Sequence, residues 1–176
     1  MNKYETRNDV PLKYRWDLTD IFKNIDDFNK TIDEVKEEIK KIDSYVGCTK
    51  NSDKLFEFLE FDSELTQKIV NLQVYAMTIN DQDLKESFGS ELVGKIDNLT
   101  TEYHAKVSFF SPELLSLSKE DYNDLYKNEK LAKYKKSLDD IYRYKDHVLN
   151  EKEEELSSRL TSTLGSYEQL SSTLLN

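Results

Sequence analysis

The chain has 176 residues, of which 37% are hydrophobic and 34% charged, and its formal net charge is −10. This length allows one good-sized domain or two small ones, and an aromatic content of 11% argues against disorder. Four glycines and two prolines leave little material for hairpin turns, which disfavours an all-β fold. The acidity argues against nucleic acid and anionic membranes as partners, since both attract clustered Lys and Arg.

The segment KLAKYKK at Lys130–Lys136 comes closest to a basic stripe, and we interpret it as the solvated face of a helix. Cys48 is the only cysteine, so no intrachain disulfide can form. It lies in a predicted loop, and we expect its thiol to be inert because the sequence offers no obvious base beside it. The N-terminus lacks an apolar signal core and no run approaches ~20 apolar residues, which predicts a cytoplasmic location.

The N-terminal residues 1–16 are predicted to be extended or irregular, with Pro11 as a breaker. Asp17 and Asp20 resemble caps for a short helix that carries Leu18, Ile21 and Phe22. Trp16 precedes this cap, where an apolar residue can pack onto the helix that follows. We therefore expect Trp16 to be mostly buried.

A long helix is predicted from about Asp26 to Tyr45, with Gly47 as its stop. Its apolar stripe is Phe28, Ile32, Val35, Ile39 and Ile42. Ser52 and Asp53 can cap a second helix, which we expect to break or bend near Phe61–Asp62.

Two long segments should then form an antiparallel helical hairpin around a turn at Asn80–Asp83. Their apolar residues are Leu65, Ile69, Leu72, Ala76 and Ile79 in the first segment, and Phe88, Leu92, Ile96, Leu99, Tyr103 and Val107 in the second. Asp83 with Glu86 is a capping pair. Close helix packing would explain why the second segment tolerates Gly89 and Gly94.

The last third begins with two further helix starts, at Ser111–Pro112–Glu113 and at Ser118 with Asp121. The stretch Tyr134–Gly165 then predicts two helices joined at His147–Asn150. The apolar stripe continues beyond it at Tyr167, Leu170 and Leu174. Because no cap follows, we expect the chain to be part of a longer protein.

No residue of the chain is predicted to be catalytic, cofactor-binding or metal-binding. A catalytic zinc site takes three protein ligands and a water, and its helical signature is His-Glu-x-x-His. His104 is followed by Ala and His147 by Val, so neither fits. We expect a surface role for His104 and a capping or packing role for His147, with ligand contact as the alternative. The acid run Glu151–Glu155 suits a helix N-terminus, and a divalent-ion site is the weaker reading.

The chain has eleven tyrosines, and its final third is rich in them, with Tyr122, Tyr126, Tyr134, Tyr142 and Tyr144 close together. We favour core-edge packing with hydroxyls that reach water, although a peptide groove would use the same rings.

The ordered set of motifs resembles the N-terminal region of oligoendopeptidase F, in the thimet-oligopeptidase-like zinc metallopeptidase family M3. The resemblance is clearest in the stretch Tyr134–Gly165. This stretch contains a tyrosine-rich helix, a His-x-Leu turn at His147–Leu149 and a helix that opens with Glu-Glu. Further matches are LKYRWDLTDIF at Leu12–Phe22, Tyr45 with Gly47, YAMTINDQD at Tyr75–Asp83 and FFSPELLSL at Phe109–Leu117. Asn150 stands where the family often has Ser, and both residues cap helices.

The resemblance implies an all-α, elongated antiparallel bundle with a long helical hairpin. It further implies that the complete enzyme hydrolyses short peptides with one zinc, whose ligands lie downstream of Asn176. The N-terminal helices would form one wall of the substrate channel, with the protein's own catalytic domain and oligopeptides as partners. Alone, the chain should bind no zinc and lack activity.

We expect residues 1–16 to be an extended segment, 17–61 an N-terminal helical part, 62–110 the hairpin, and 111–176 a helical region leading into the catalytic domain. A free-standing acidic helical interaction module is the alternative, because helical stripes alone fit both.

Overall fold

The computed structural model describes residues 10–82 and 86–147, and every regular element within these ranges is helical. The all-α prediction is therefore confirmed. The α-helices are α1 (Ile25–Lys41), α2 (Ser52–Gln82), α3 (Ser87–Val107), α4 (Phe110–Ser116), α5 (Lys119–Asp124) and α6 (Lys135–Tyr142). Short 3₁₀ helices are found at Leu12–Tyr14, Ile42–Tyr45, Cys48–Lys50, Leu125–Lys127, Glu129–Tyr134 and Arg143–His147. The chain divides into two compact units, with the boundary between Lys136 and Ser137.

Helix α1 is the predicted first long helix. The Asn24 side chain caps it by accepting the backbone N–H of Asp27 at 2.9 Å. All five residues of the predicted stripe are buried: Phe28, Ile32, Val35, Ile39 and Ile42. A 3₁₀ turn extends the element to Tyr45, and Gly47 then adopts a left-handed conformation with φ of 84°. That conformation favours glycine, so the predicted stop is confirmed.

The N-terminal segment corrects the prediction for Trp16, which is 60% exposed. Asp17 Oδ1 accepts bonds from the backbone and the hydroxyl of Thr19, at 3.0 and 2.7 Å, and so closes only a local turn. The first α-helix of the described residues begins later, at Ile25. Within the described residues, no α-helix therefore follows directly after Trp16, onto which its ring could pack.

Phe22, and not Trp16, anchors the segment before α1. Its ring meets those of Phe28 and Tyr75 edge to face, with centroids 5.5 and 5.2 Å apart. This aromatic cluster ties the segment before α1 to both α1 and α2, because such pairs contribute beyond simple area burial.

Helix α2 corrects two details of the sequence analysis. It is capped by Asn51, whose Oδ1 accepts the backbone N–H groups of Asp53 and Lys54, each at 3.0 Å, rather than by Ser52. It also runs without a break through Phe61 and Asp62. Both residues have partners that suit an intact helix. Phe61 stacks on Tyr45 with centroids 5.3 Å apart, and Asp62 accepts a bond from the Tyr103 hydroxyl at 2.7 Å.

Helices α2 and α3 form the predicted antiparallel hairpin. Thr66 Oγ1 lies 2.9 Å from the Tyr103 hydroxyl, and Gln73 Nε2 donates to Thr100 Oγ1 at 3.2 Å. Residue numbers therefore increase along α2 while those of the bonded partners decrease along α3, as in an antiparallel pair of helices.

Helix α2 continues through Asn80 and Asp81 to Gln82, so the predicted turn does not begin at Asn80. Glu86 is the residue before the first turn of α3 and has extended backbone angles, so it does not take the position inside the helix that the predicted capping pair required. Asp83, the other member of that pair, lies outside the described residues.

The two glycines of α3 differ in their surroundings. A Cβ on Gly89 would lie 2.4 Å from the Cα of Asn80, so close packing accounts for this glycine as predicted. Gly94 has open space around it, and the same explanation is wrong there. Gly89 is the residue that lies against Asn80, so the neighbouring Phe88 points away from α2. Phe88 is 48% exposed, and its predicted place in the core is wrong.

The elements after the hairpin agree in part with the sequence analysis. Helix α4 begins at Phe110, so Ser111 is not its cap. Ser118 does cap α5, since its Oγ accepts the backbone N–H of Asp121 at 3.0 Å. Helix α6 ends at Tyr142 and a 3₁₀ turn continues to His147. The second helix predicted for Tyr134–Gly165, and the turn before it, lie outside the described residues.

Candidate functional site

The two histidines and the cysteine do not form a metal site. His104 and His147 are both exposed, and His104 has a ring contact with Tyr103 at 5.3 Å between centroids. Among residues 10–82 and 86–147, no group of three or more His, Cys, Asp or Glu side chains is placed to hold a metal ion.

The thiol of Cys48 is buried beneath the loop that follows α1. Burial, followed by the negative charge of Glu113, raises its pKa to about 12. A thiol with such a pKa is protonated at neutral pH and is a poor nucleophile. The structure thus supports the interpretation of Cys48 as an inert packing residue.

The lysine-rich segment contacts α2 through Lys133 and Tyr134. Lys133 forms an ion pair with Glu60 at 2.5 Å, and its Nζ lies 5.3 Å from the centroid of the Phe56 ring. Tyr134 donates its hydroxyl to the same Glu60 carboxylate. Burial, followed by that carboxylate, raises the pKa of Tyr134 to about 12. These contacts satisfy the basic side chains locally, which agrees with a structural role for the segment.

Two other tyrosines show that not every hydroxyl turns to water. The hydroxyls of Tyr122 and Tyr126 lie 2.8 Å apart, and their rings meet edge to face. Tyr122 is buried, whereas Tyr144 is exposed.

One face of α2 is unusual for this chain because it is exposed and uncharged. We call it the neutral face; it consists of Gln67, Val70, Asn71, Val74 and Met77. The three apolar members are 45%, 46% and 56% exposed, in chain order. Lys68 is the only charged residue between Glu64 and Asp81, and it pairs with Glu38 at 2.7 Å. An exposed apolar stripe without charges is typical of an interaction surface.

The exposed side of α1 differs sharply from the neutral face. It carries the ion pairs Lys30–Glu34, Lys36–Asp33 and Lys40–Glu37. Charges of this kind keep a helix face in water. Because α1 and α2 belong to the same compact unit, the contrast marks the neutral face as the surface best suited to a partner.

A small cavity lies between α2 and α3 at the edge of the neutral face. We call it the crevice; it is lined by Gln73, Ala76, Met77, Val93, Ile96 and Asp97 and has a volume of about 150 Å³. Met77 belongs to both the crevice and the neutral face. The Gln73 amide is held by its bond to Thr100, so one wall of the crevice is fixed by the hairpin itself.

A polar cluster ties the same two helices together further along. The Tyr103 hydroxyl donates to Asp62 and lies within bonding distance of Thr66. Burial raises the pKa of Asp62, and the bond from Tyr103 partly opposes this effect. Burial also raises the pKa of Tyr103 to about 12. The cluster therefore fixes the register of the hairpin that forms the crevice.

The sequence analysis singled out neither the neutral face nor the crevice. A signal was present, since sixteen consecutive positions, 65–80, hold one charge in a chain that is 34% charged. The crevice could not have been found in this way, because it depends on which residues of α3 lie opposite Gln73 and Met77.

Comparison with known proteins places the chain among the oligopeptidases. The family model of the N-terminal region of M3 peptidases, described as Oligopeptidase F, matches residues 113–176. Oligopeptidase PepF of Bacillus subtilis is 32% identical over 177 residues, covering 99% of this chain and 26% of that protein. Group B oligopeptidase PepB of Streptococcus agalactiae is 31% identical, covering 92% of this chain and 27% of that protein.

The fold has a counterpart among solved structures. A crystal structure of a Chlamydophila abortus protein described as a peptidase matches with a TM-score of 0.82 and 23% identity. The match covers 92% of this chain and 28% of that one.

The chain belongs to the oligoendopeptidase F family and corresponds to its N-terminal region. It spans about a quarter of the length of the curated relatives that it matches. Within the described ranges, no helix is both long enough and apolar enough to cross a membrane.

Proposed function

We propose that this chain is the non-catalytic, N-terminal helical region of a cytoplasmic zinc-dependent oligoendopeptidase that hydrolyses short peptides. One observation carries the proposal. The similarity to PepF extends over 99% of the chain but over only 26% of that enzyme. This coverage is the one expected if the chain corresponds to one part of a peptidase, and it supports that proposal over a free-standing module.

The residues of this chain do not fit the zinc ion that the family implies. Neither of its two histidines stands in the His-Glu-x-x-His signature, since His104 is followed by Ala105 and His147 by Val148. The described residues also hold no cluster of potential ligands. The zinc ligands of the complete enzyme would therefore come from the three quarters of the relatives that this chain does not cover.

The role that remains for this region is to form part of the wall of the substrate channel. A helical wall suits the role because its backbone hydrogen bonds are satisfied internally. Only the side chains of such a wall then face the substrate. The neutral face supports the proposal, since Val70, Val74 and Met77 offer apolar contact while Gln67 and Asn71 offer amides that can bond to a peptide backbone.

The first test is to incubate the purified chain with quenched fluorescent peptides and added zinc, with PepF of Bacillus subtilis as the positive control. We expect no cleavage by this chain and no stoichiometric zinc binding by calorimetry. Chelator-sensitive cleavage that co-purifies with the chain would contradict the proposal.

The second test is the reading frame that contains the chain. A downstream helix with a His-Glu-x-x-His sequence is expected. A reading frame that ends at Asn176 would favour the alternative, a free-standing helical interaction module.

A further inference from the structure

We propose that the crevice between α2 and α3 binds the N-terminal residue of an oligopeptide, with an apolar side chain in the cavity and the α-ammonium group on Asp97. The choice of a peptide rests on the proposed function. The chemistry of the two groups that are bound rests on the crevice itself.

The cavity has the size and lining that one apolar side chain requires. Its volume is about 150 Å³, and a cavity of about this size accepts one benzene-sized group. Ala76, Met77, Val93 and Ile96 supply its apolar walls. A branched aliphatic side chain would bury its surface against these groups, which is the main source of affinity in small pockets.

Asp97 supplies the charge. It is exposed and forms no ion pair or side-chain hydrogen bond with any of the residues that the structure describes. It is also the only ionisable group that lines the crevice. A carboxylate next to an apolar cavity is complementary to an ammonium group next to an apolar side chain, and this combination is the N-terminal residue of a peptide. The net charge of −10 favours the approach of such a cation.

The neutral face gives the rest of the peptide a place to lie. It joins the crevice at Met77 and continues along α2 through Val74, Asn71 and Val70. Because this face carries no charge, it selects neither acidic nor basic residues. The arrangement therefore predicts that the first residue is selected by its apolar side chain and its free amine, whereas the following residues are selected weakly.

The chain contains a direct probe of binding in the crevice. It has two methionines, Met1 and Met77, so that ¹³C-methyl methionine labelling gives two NMR signals. Met77 lines the crevice. The peptide Leu-Gly-Gly-Gly should shift the Met77 signal in a saturable manner and leave the Met1 signal in place. The variant Met77→Leu assigns the signals.

Three comparisons test the chemistry. N-acetyl-Leu-Gly-Gly-Gly, which lacks the ammonium, and Gly-Gly-Gly-Gly, which lacks the side chain, should each bind at least about tenfold more weakly. Isopentylamine, which has both groups but no peptide bonds, should also bind at least about tenfold more weakly because it cannot reach the neutral face. Equal affinity for the amine and the peptide would overturn the assignment to peptides.

A matched pair of variants tests Asp97. Asp97→Asn removes the charge and keeps the shape of the side chain. It should lower the affinity for Leu-Gly-Gly-Gly by about tenfold. Glu91→Gln makes the same change at an exposed position of α3 outside the crevice and should leave the affinity unchanged. The proposal would be overturned if the Met77 signal did not shift at millimolar Leu-Gly-Gly-Gly. It would also be overturned if wild type and Asp97→Asn bound this peptide with equal affinity. Neither result would affect the proposed function, whose tests do not involve the crevice.

Discussion

The carboxylate of Glu113 accepts the backbone N–H of Gly47 with both oxygens, at 2.8 and 3.0 Å, although the two residues are 66 positions apart. One of these oxygens also accepts the hydroxyl of Thr49 at 3.4 Å. The glycine is in the left-handed conformation that ends the element after α1. A charged side chain of α4 thus holds the loop between α1 and α2, and the resemblance to the family had identified both Gly47 and the segment that contains Glu113.

Glu113→Ala should destabilise the chain by about 1.5–3 kcal/mol, because it removes hydrogen bonds to a charged acceptor and leaves a partly buried N–H without a partner. The measurement is urea unfolding followed by circular dichroism. Glu120→Ala is the control, since Glu120 is exposed in the first turn of α5 and should tolerate the change. Equal losses for the two variants would show that the bond to Gly47 contributes nothing specific.

The glycines of α3 provide a matched pair of substitutions. Gly89→Ala should cost about 1–3 kcal/mol, because the new methyl group meets the backbone of Asn80. Gly94→Ala should stabilise the chain by about 1 kcal/mol, because the position is helical and open. Thermal or urea unfolding of both variants gives the answer, and effects of the same sign would contradict the described packing of the hairpin.

The hairpin shows how far sequence reasoning could go. The spacing of Leu65, Ile69 and Leu72 identified α2, and the same rule identified α3, because a helix that buries one face repeats every three or four residues. Local rules could not tell Gly89 from Gly94, since only the position of Asn80 on the opposite helix distinguishes them.

Other errors have the same cause. Trp16 was expected to be buried because of the cap that follows it, yet Asp17 caps a turn rather than a helix. Glu113 was assigned to a helix start, and its bond to Gly47 could not be predicted from neighbouring residues. The five buried residues of α1 were confirmed because they follow from the pattern of one helix. The burial of Trp16 and the partner of Glu113 depend on residues elsewhere in the chain, and local patterns did not reveal them.

Trp16 is a direct optical test of the structure, as it is the only tryptophan. With the ring 60% exposed, the emission maximum should be water-like and acrylamide should quench it freely. Trp16→Ala should then change the free energy of unfolding by no more than about 0.5 kcal/mol, as is usual for surface positions. A blue-shifted, protected emission would favour the buried position that the sequence predicted.

Asp62 gives the hairpin a pH dependence with a defined sign. Burial raises the pKa of this carboxyl in the folded chain above its ordinary value of 3.8. The folded state therefore holds its proton more tightly than the unfolded state. The stability contributed by the protonated group is complete below pH 3.8 and is lost as the pH rises through the folded pKa.

Asp62→Asn keeps an oxygen that can accept the bond from Tyr103 but removes the titration. Its free energy of unfolding relative to wild type should therefore increase between pH 3 and pH 7. If the free energy of unfolding of Asp62→Asn instead fell relative to wild type over this range, the raised pKa of Asp62 would be contradicted.

The central claim, that this chain is the N-terminal region of an oligoendopeptidase, is tested most directly by transplanting it. Residues 1–176 of this chain replace the aligned segment of Bacillus subtilis PepF, which is 26% of that enzyme. Cleavage of quenched fluorescent peptides is then measured with and without a chelator. Circular dichroism and zinc content establish that the hybrid is folded and metal-loaded. We predict chelator-sensitive cleavage by the hybrid and none by either part alone. A folded, zinc-loaded hybrid without activity, or full activity of the PepF remainder without any N-terminal region, would contradict the account.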